Sequence, residues 1–173
     1  MNIIEIFTKS IFLIISFDSD LWEIIILSLY VSISALIIAS ILGLLIGYYI
    51  ALKKFLLKSF ILVVLNSLMG IPPVVVGLIV YFMFASGGPF GVLQLLYTPT
   101  AMIIAQVIII FPIVTSISHE IFDQNWREYK DQLRSINMPF FGVAFIITKH
   151  SYFLVITALL SAFGRAISEV GAV

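Results

Sequence analysis

Two stretches of this chain contain no Asp, Glu, Lys or Arg: Ile24 to Leu52, and Ser59 to Ser118. Runs of that length cannot form a water-facing surface, because soluble domains carry roughly 25% charged residues. A bilayer core takes about 20 apolar residues per helix, so the first run holds one membrane span and the second holds two. The chain as a whole is 62% hydrophobic and 10% charged, as expected of a fold whose solvent is largely lipid. Formal net charge is zero, so nothing points to a nucleic-acid partner. The lack of cysteine excludes disulfides and thiolate metal sites.

Spans are predicted over residues 20–52, 59–84, 100–118 and about 151–173, with 119–149 as a polar segment before the last. Residues 1–17 are apolar but interrupted by Glu5 and Lys9, and lack the basic start and cleavage site of a signal peptide. They read as an interfacial or partly inserted helix. Asp18, Ser19 and Asp20 suit the start of the first span, which ends at Lys53, Lys54 and Lys58. Lys and Arg concentrate in cytoplasmic loops, so this cluster is expected to face the cytoplasm. The turn-rich connection Ala85 to Tyr97, with Gly87, Gly88, Pro89 and Gly91, then faces outward. Thr98 and Pro99 suit a helix start, Thr as cap and Pro in the first turn. Alternation returns 119–149, with Arg127, Lys130, Arg134 and Lys149, to the cytoplasm, so two basic clusters agree on one topology.

Ala35, Ala39, Gly43 and Gly47 recur at four-residue spacing in the first span, a stripe along which another helix can approach closely. The second span carries Asn66, Ser67, Gly70, Pro72, Pro73 and Gly77. Each proline removes a backbone donor and clashes with the carbonyl four residues earlier, which is expected to free Leu68 and Met69 near the bilayer midplane. Lipid does not tolerate such groups unless other helices, polar side chains or water satisfy them. Transporters place substrate paths at broken helices of this kind, so Asn66, Pro72 and Pro73 are candidates for path or gate, against an ordinary proline kink. Pro112, with Gln106 earlier in the third span, is a weaker sign of the same sort.

Within 119–149, Phe122, Trp126, Tyr129, Leu133 and Ile136 form one apolar stripe, with Asp123, Arg127, Lys130, Asp131 and Arg134 on the other faces. Asn125 and Glu128 fit a capping box. Asn137 suits a left-handed C-cap, and Pro139 prevents continuation. Such a helix either lies among headgroups or docks a cytoplasmic partner. His119 and His150 lack metal-ligand spacing and read as solvated interfacial side chains; no metal or cofactor site is expected. In the last stretch, Arg165 and Glu169 stand four apart among small residues that include Gly171. They share a helix face and can neutralise each other. Charges inside a membrane are functional candidates by default, so Arg165 and Glu169, with Gly171 beside them, are candidates for an anion path or for gating, against a pair that merely makes insertion tolerable.

The stretches LWEIIILSLYVSISA, LNSLMGIPPVVVGLIVYF, LLYTPTAMIIAQ and LSAFGRAISEVGAV together resemble the permease subunit of bacterial ABC importers for oxyanions. The tungstate type is the most similar, with molybdate and sulfate permeases as relatives. The resemblance implies an all-α polytopic transmembrane helical bundle of the type I, MetI-like architecture in the bacterial inner membrane. It also implies a homodimer, a separate ABC ATPase, an extracytoplasmic substrate-binding protein, and no catalysis by this chain. The family's cytoplasmic coupling signature, Glu-Ala-Ala followed by Gly, falls by spacing on Asp131, Gln132, Leu133 and Asn137, with Arg134 between them. Asp keeps the charge of Glu, and Asn is the next best residue after Gly for a left-handed turn. Lys149-His150 stands where relatives have Leu-Pro. Family members continue with a further span, so the chain ending at Val173 is expected to be a fragment. Two other classes compete: a secondary transporter or channel that works without ATP, and a non-transporting scaffold. No P-loop is present in the sequence.

Overall fold

A computed structural model describes residues 19–169, and among these every regular element is helical. The order is α1 (Ser19–Leu52), α2 (Lys58–Leu68), α3 (Pro73–Phe84), a 3-10 turn at Gly91–Leu93, α4 (Pro99–Ser135), α5 (Phe140–His150) and α6 (Tyr152–Glu169). The expectations for residues 1–17 and for Gly171 lie outside the described residues. Helices α1, α4 and α6 are each long and apolar enough to cross a bilayer.

The organising contact is a parallel seam between α1 and α4. Ala35 and Ala39, both fully buried, share a cluster with Ala105, Ile109 and Ile110. Further along, a Cβ on Gly43 would lie 2.8 Å from Val114 Cγ1, and one on Gly47 would lie 2.9 Å from the Thr115 carbonyl oxygen. The four-residue stripe is therefore the surface on which α4 rides, with side chains small enough for backbone to meet backbone. Lipid is as apolar as Leu, so close van der Waals contact rather than expulsion from water holds such a pair together.

Two buried clusters lie along the seam. One joins Ala35, Ala39, Ala105 and Ile109 to Val76, Val80 and Phe84 of α3 and Ala166 of α6. The other joins Tyr48, Ala51, Ile121 and Phe122 to Leu133, Val143 and Ile147, and to Val155 and Ala158 of α6. Residue order shows that α6 returns antiparallel to α1 and α4. It also places Lys58 and Asp123 at one end of the bundle, so both basic clusters of the sequence share that end.

The stretch expected as a second span, 59–84, is two helices, α2 and α3, that meet at 99°. Pro72 is extended (φ −61°, ψ 133°) and caps α3, and Pro73 occupies the first turn, where a missing N–H costs nothing. The carbonyl of Leu68 is not freed as expected: the chain tightens so that Ile71 N donates to it at 3.2 Å.

The polar segment also differs from expectation. Rather than a separate amphipathic helix, α4 runs unbroken from the apolar slab to Ser135, through the buried Pro112. The capping box at Asn125 and Glu128 does not form, because Asn125 is buried mid-helix and its Nδ2 donates to the Ile121 carbonyl at 2.7 Å. Thr98 caps the other end of α4 as its sequence suggests, accepting from Ala101 N.

Candidate functional site

Asn66 lies on the last turns of α2, and its side chain meets α4. Ser116 Oγ donates to Asn66 Oδ1 at 2.5 Å. Below this pair, toward the basic end, the two helices part to form a cleft of about 560 Å³ lined by Leu62, Asn66, Ser116, His119, Asp123 and Arg127, among others. Ser116, His119, Asp123 and Arg127 fall on one face of α4 because they recur at spacings of three and four.

Asp123 is the electrostatic centre of the cleft. Lys58 Nζ donates to its Oδ1 at 3.1 Å, and Arg127 Nη2 lies 2.8 Å from its Oδ2. Burial pushes the carboxyl up, but the Lys58 hydrogen bond and the two cationic charges outweigh this and hold it below its ordinary value. Lys58 also donates to the Ala51 carbonyl at 3.3 Å, tying the end of α1 to the start of α2. His119 follows the last residue of the charge-free run. Burial, reinforced by Lys58, holds its imidazole below the usual value, so the ring is neutral at physiological pH. Its Nε2 is buried with no partner among the described residues, which corrects the reading of His119 as a solvated side chain. His150 does stay exposed, 3.0 Å from the Tyr129 hydroxyl.

The charged pair of the last stretch forms as its spacing suggests: Arg165 Nη2 is 3.3 Å from Glu169 Oε1. It flanks Ala166, which packs with Ala35, Ala105 and Val76 in the cluster far from the basic end. Gln106 and Ser32 are fully buried, and their side-chain polar atoms lack partners among the described residues, as does Arg165 Nε. Pro72 and Pro73 border this same cluster through Ile71 and Val76. The structure thus separates the candidates for path or gate into two places: Asn66 in the cleft at the basic end, Pro72, Pro73, Arg165 and Glu169 around the opposite cluster.

Asp131, Gln132, Arg134 and Asn137 are all exposed at the end of α4, while Leu133 is buried beneath them. Asn137 is left-handed, at φ 48°. Its N–H donates to Arg134 O at 3.0 Å and that of Met138 to Leu133 O at 3.2 Å, the pair of bonds that closes a Schellman helix end. The chain then turns into α5, and Tyr48 Oη donates to the Phe140 carbonyl at 2.6 Å, fastening the turn to α1. Phe141 and Phe145 of α5 are exposed. The result is a helix–turn–helix with charged and aromatic residues on its outer side.

Sequence reasoning passed over Lys58, Ser116, His119 and Asp123 as site residues. Asp123 and Lys58 are distant in sequence, so only the fold could pair them. The recurrence of Ser116, His119, Asp123 and Arg127 was the available signal.

Residues 39–173 match the family described as the binding-protein-dependent transport system inner membrane component. The chain is 36% identical over 171 residues to a tungstate uptake system permease protein of Peptoclostridium acidaminophilum, covering 99% of this chain and 75% of that protein. It is 37% identical over 146 residues to a probable anion ABC transporter permease protein of Haloferax volcanii, covering 84% of this chain and 63% of the relative. A tungstate uptake system permease protein of Campylobacter jejuni is 30% identical over 118 residues, 68% of this chain and 49% of its own length. The chain therefore spans three quarters of the first relative and less than two thirds of the other two. With a helical bundle, three helices able to cross a bilayer among the described residues and a family match over most of its length, this multi-pass inner-membrane chain belongs to the binding-protein-dependent transport system inner membrane components.

Proposed function

We propose that the chain is the permease subunit of an ATP-driven importer for an oxyanion, tungstate foremost, with molybdate and sulfate as the neighbouring candidates. The observation that carries this reading is the similarity, over nearly the whole chain, to a tungstate uptake permease. In this reading the basic end faces the cytoplasm, and a separate ABC ATPase seats against Asp131, Gln132, Leu133, Arg134 and Asn137. An extracytoplasmic binding protein delivers the anion to the opposite side. A second copy of the permease completes the path, which suits α2 and α3, whose outer faces expose Phe60, Val63, Val74 and Phe82. The break at Pro72 and Pro73 supplies the bend about which the path opens, and Arg165 with Glu169 gates its outer half. A transporter working without ATP would need the same broken helix, but has no use for an exposed helix–turn–helix at 131–137.

Tungstate uptake by cells that lack other oxyanion importers, with and without the intact gene, tests the reading. Equal uptake in the two strains would sink it. Co-purification of an ATPase, lost when 131–137 is replaced, tests the coupling.

A further inference from the structure

We propose that the turn from α1 to α2, with the start of α5 beside it, is a site for an anionic phospholipid at the basic end of the bundle. Lys53 and Lys54 hold the headgroup phosphate, and the acyl chains lie against Leu56, Leu57, Phe140 and Phe141. The site goes beyond the importer reading: it needs the chain to sit in a bilayer and does not depend on what the chain carries.

Helix α1 sets the depth of this surface. Lys53 N still donates to the Tyr49 carbonyl at 3.1 Å, so Lys53 lies at the very end of the helix. From Glu23 to Lys53 is roughly 30 residues, or about 45 Å at 1.5 Å per residue. A bilayer with its headgroup layers is about 40–45 Å thick. With Glu23 in one headgroup layer, Lys53 and the turn after it fall in the other. The start of α5 is held at the same level. Lys53 Nζ lies 5.9 Å from the centre of the Phe140 ring, and the Phe140 and Phe141 rings meet edge to face at 5.9 Å. Leu56 is 99% exposed and Phe141 82% exposed, a surface that water does not favour. Lys53 and Lys54 are exposed as well, which hydrocarbon does not favour. The boundary between headgroups and acyl chains suits both.

The charges select among lipids. Lys58 is engaged by Asp123, but Lys53 and Lys54 form no ion pair among the described residues. Residues 53–57 contain no Asp or Glu. A zwitterionic headgroup brings its own cation to the phosphate, whereas an anionic one leaves the negative charge to the two lysines. Each lysine beside an anionic membrane surface favours binding by about fivefold. A protein partner would have to displace lipid from this depth and supply the anions itself. An anionic phospholipid brings both the charge and the chains that cover Leu56 and Phe141.

The test uses the full chain in vesicles of phosphatidylcholine and phosphatidylglycerol. The sequence has no cysteine, so Leu56→Cys gives a single place for a fluorescent label. Bromine atoms carried on the chains of one lipid or the other quench the label, and the two series give the preference of the site for phosphatidylglycerol. A preference of about tenfold or more is expected with both lysines present. Lys53→Gln with Lys54→Gln should bring it to about one, and each single variant should lower it about fivefold. If the double variant does not fold, as judged by melting, the single variants carry the test. Lys149→Gln, about 14 Å away along α5, should leave the preference unchanged. No preference in the starting protein overturns the proposal, as does a preference that survives the loss of both lysines. Equal losses in Lys149→Gln and the lysine pair would reduce the effect to general surface charge and overturn it too. Quenching by neither lipid means that protein, a second copy or an ATPase, covers the turn, and the site falls. Each of these outcomes leaves tungstate uptake, and with it the importer reading, to be judged by its own experiment.

Discussion

Lys58 at the start of α2 lies 3.1 Å from Asp123 on α4, the contact that pins the first half of the broken pair to the bundle's basic end. The side chains are about three-quarters or more buried, so the pair is neither a solvated surface bridge nor a dry one. Lys58→Met should lower stability by about 1–2 kcal/mol, between the surface and buried limits. Thermal melting in detergent gives the number. The pH dependence has a definite sign. The Asp123 carboxyl is depressed on folding, so its stabilisation is full above the unfolded value and fades as pH falls through the folded one. The difference in melting temperature between wild type and Lys58→Met should shrink as pH falls, first below 6.5, the ordinary value of His119, whose imidazole Lys58 helps hold down, and further below 3.8, the carboxyl's ordinary value.

Gly47 tests the seam. A Cβ there meets the Thr115 carbonyl oxygen at 2.9 Å and the His119 amide nitrogen at 3.0 Å, both backbone atoms that cannot swing aside. Gly47→Ala should cost about 1–3 kcal/mol. Gly164, whose Cβ would meet nothing within 4 Å, should accept Ala with no loss. Equal melting temperatures for the two variants would contradict the close approach of α1 and α4.

Replacing Pro72 and Pro73 together with Ala restores two backbone donors and removes two ring clashes. The 99° bend between α2 and α3 should open toward a straight helix, lengthening the distance between spin labels at Phe60 and Phe82. Uptake of the anion should fall to a small fraction of wild type. Wild-type uptake with a straightened helix would reduce the break to a packing feature.

Arg165→Ala leaves Glu169 without the guanidinium now 3.3 Å away. Insertion should survive, since the insertion cost of a lone central charge is only about 2.5–3.5 kcal/mol, while uptake should be lost. The charge swap Arg165→Glu with Glu169→Arg separates roles: a structural pair recovers uptake, and a gate that depends on the cation's position does not.

Asn137 holds φ 48° at the turn after α4. Asn137→Gly should keep that turn and any ATPase bound to it. Asn137→Val puts a β-branched residue in the left-handed region, at a cost of about 1–2 kcal/mol, and should release the ATPase in pull-down. Equal retention of the partner by both variants would move the docking surface elsewhere.

The sequence by itself determined that this chain is a membrane bundle, because charge-free runs have no other stable solvent. It determined the helix starts and stops at Thr98-Pro99 and Asn137-Pro139, since caps depend on a few adjacent residues, and it located the small-residue stripe and the Arg165–Glu169 pair, which follow from helical periodicity. Tertiary structure alone decided what meets what. A proline pair says that a helix breaks, but not that α3 then lies at 99° to α2 with Val76, Val80 and Phe84 in one cluster with Ala105 and Ile109. Helix α4 continues past Ser118 because Phe122 and Leu133 find cover against Tyr48 and Val143, whereas a local pattern reads the change in polarity as a boundary. The cleft needs Lys58, Asn66, Ser116 and Asp123 on two facing helices. No periodicity within one segment encodes that meeting, because it depends on how α1 seats α4 along residues too small to hold it away.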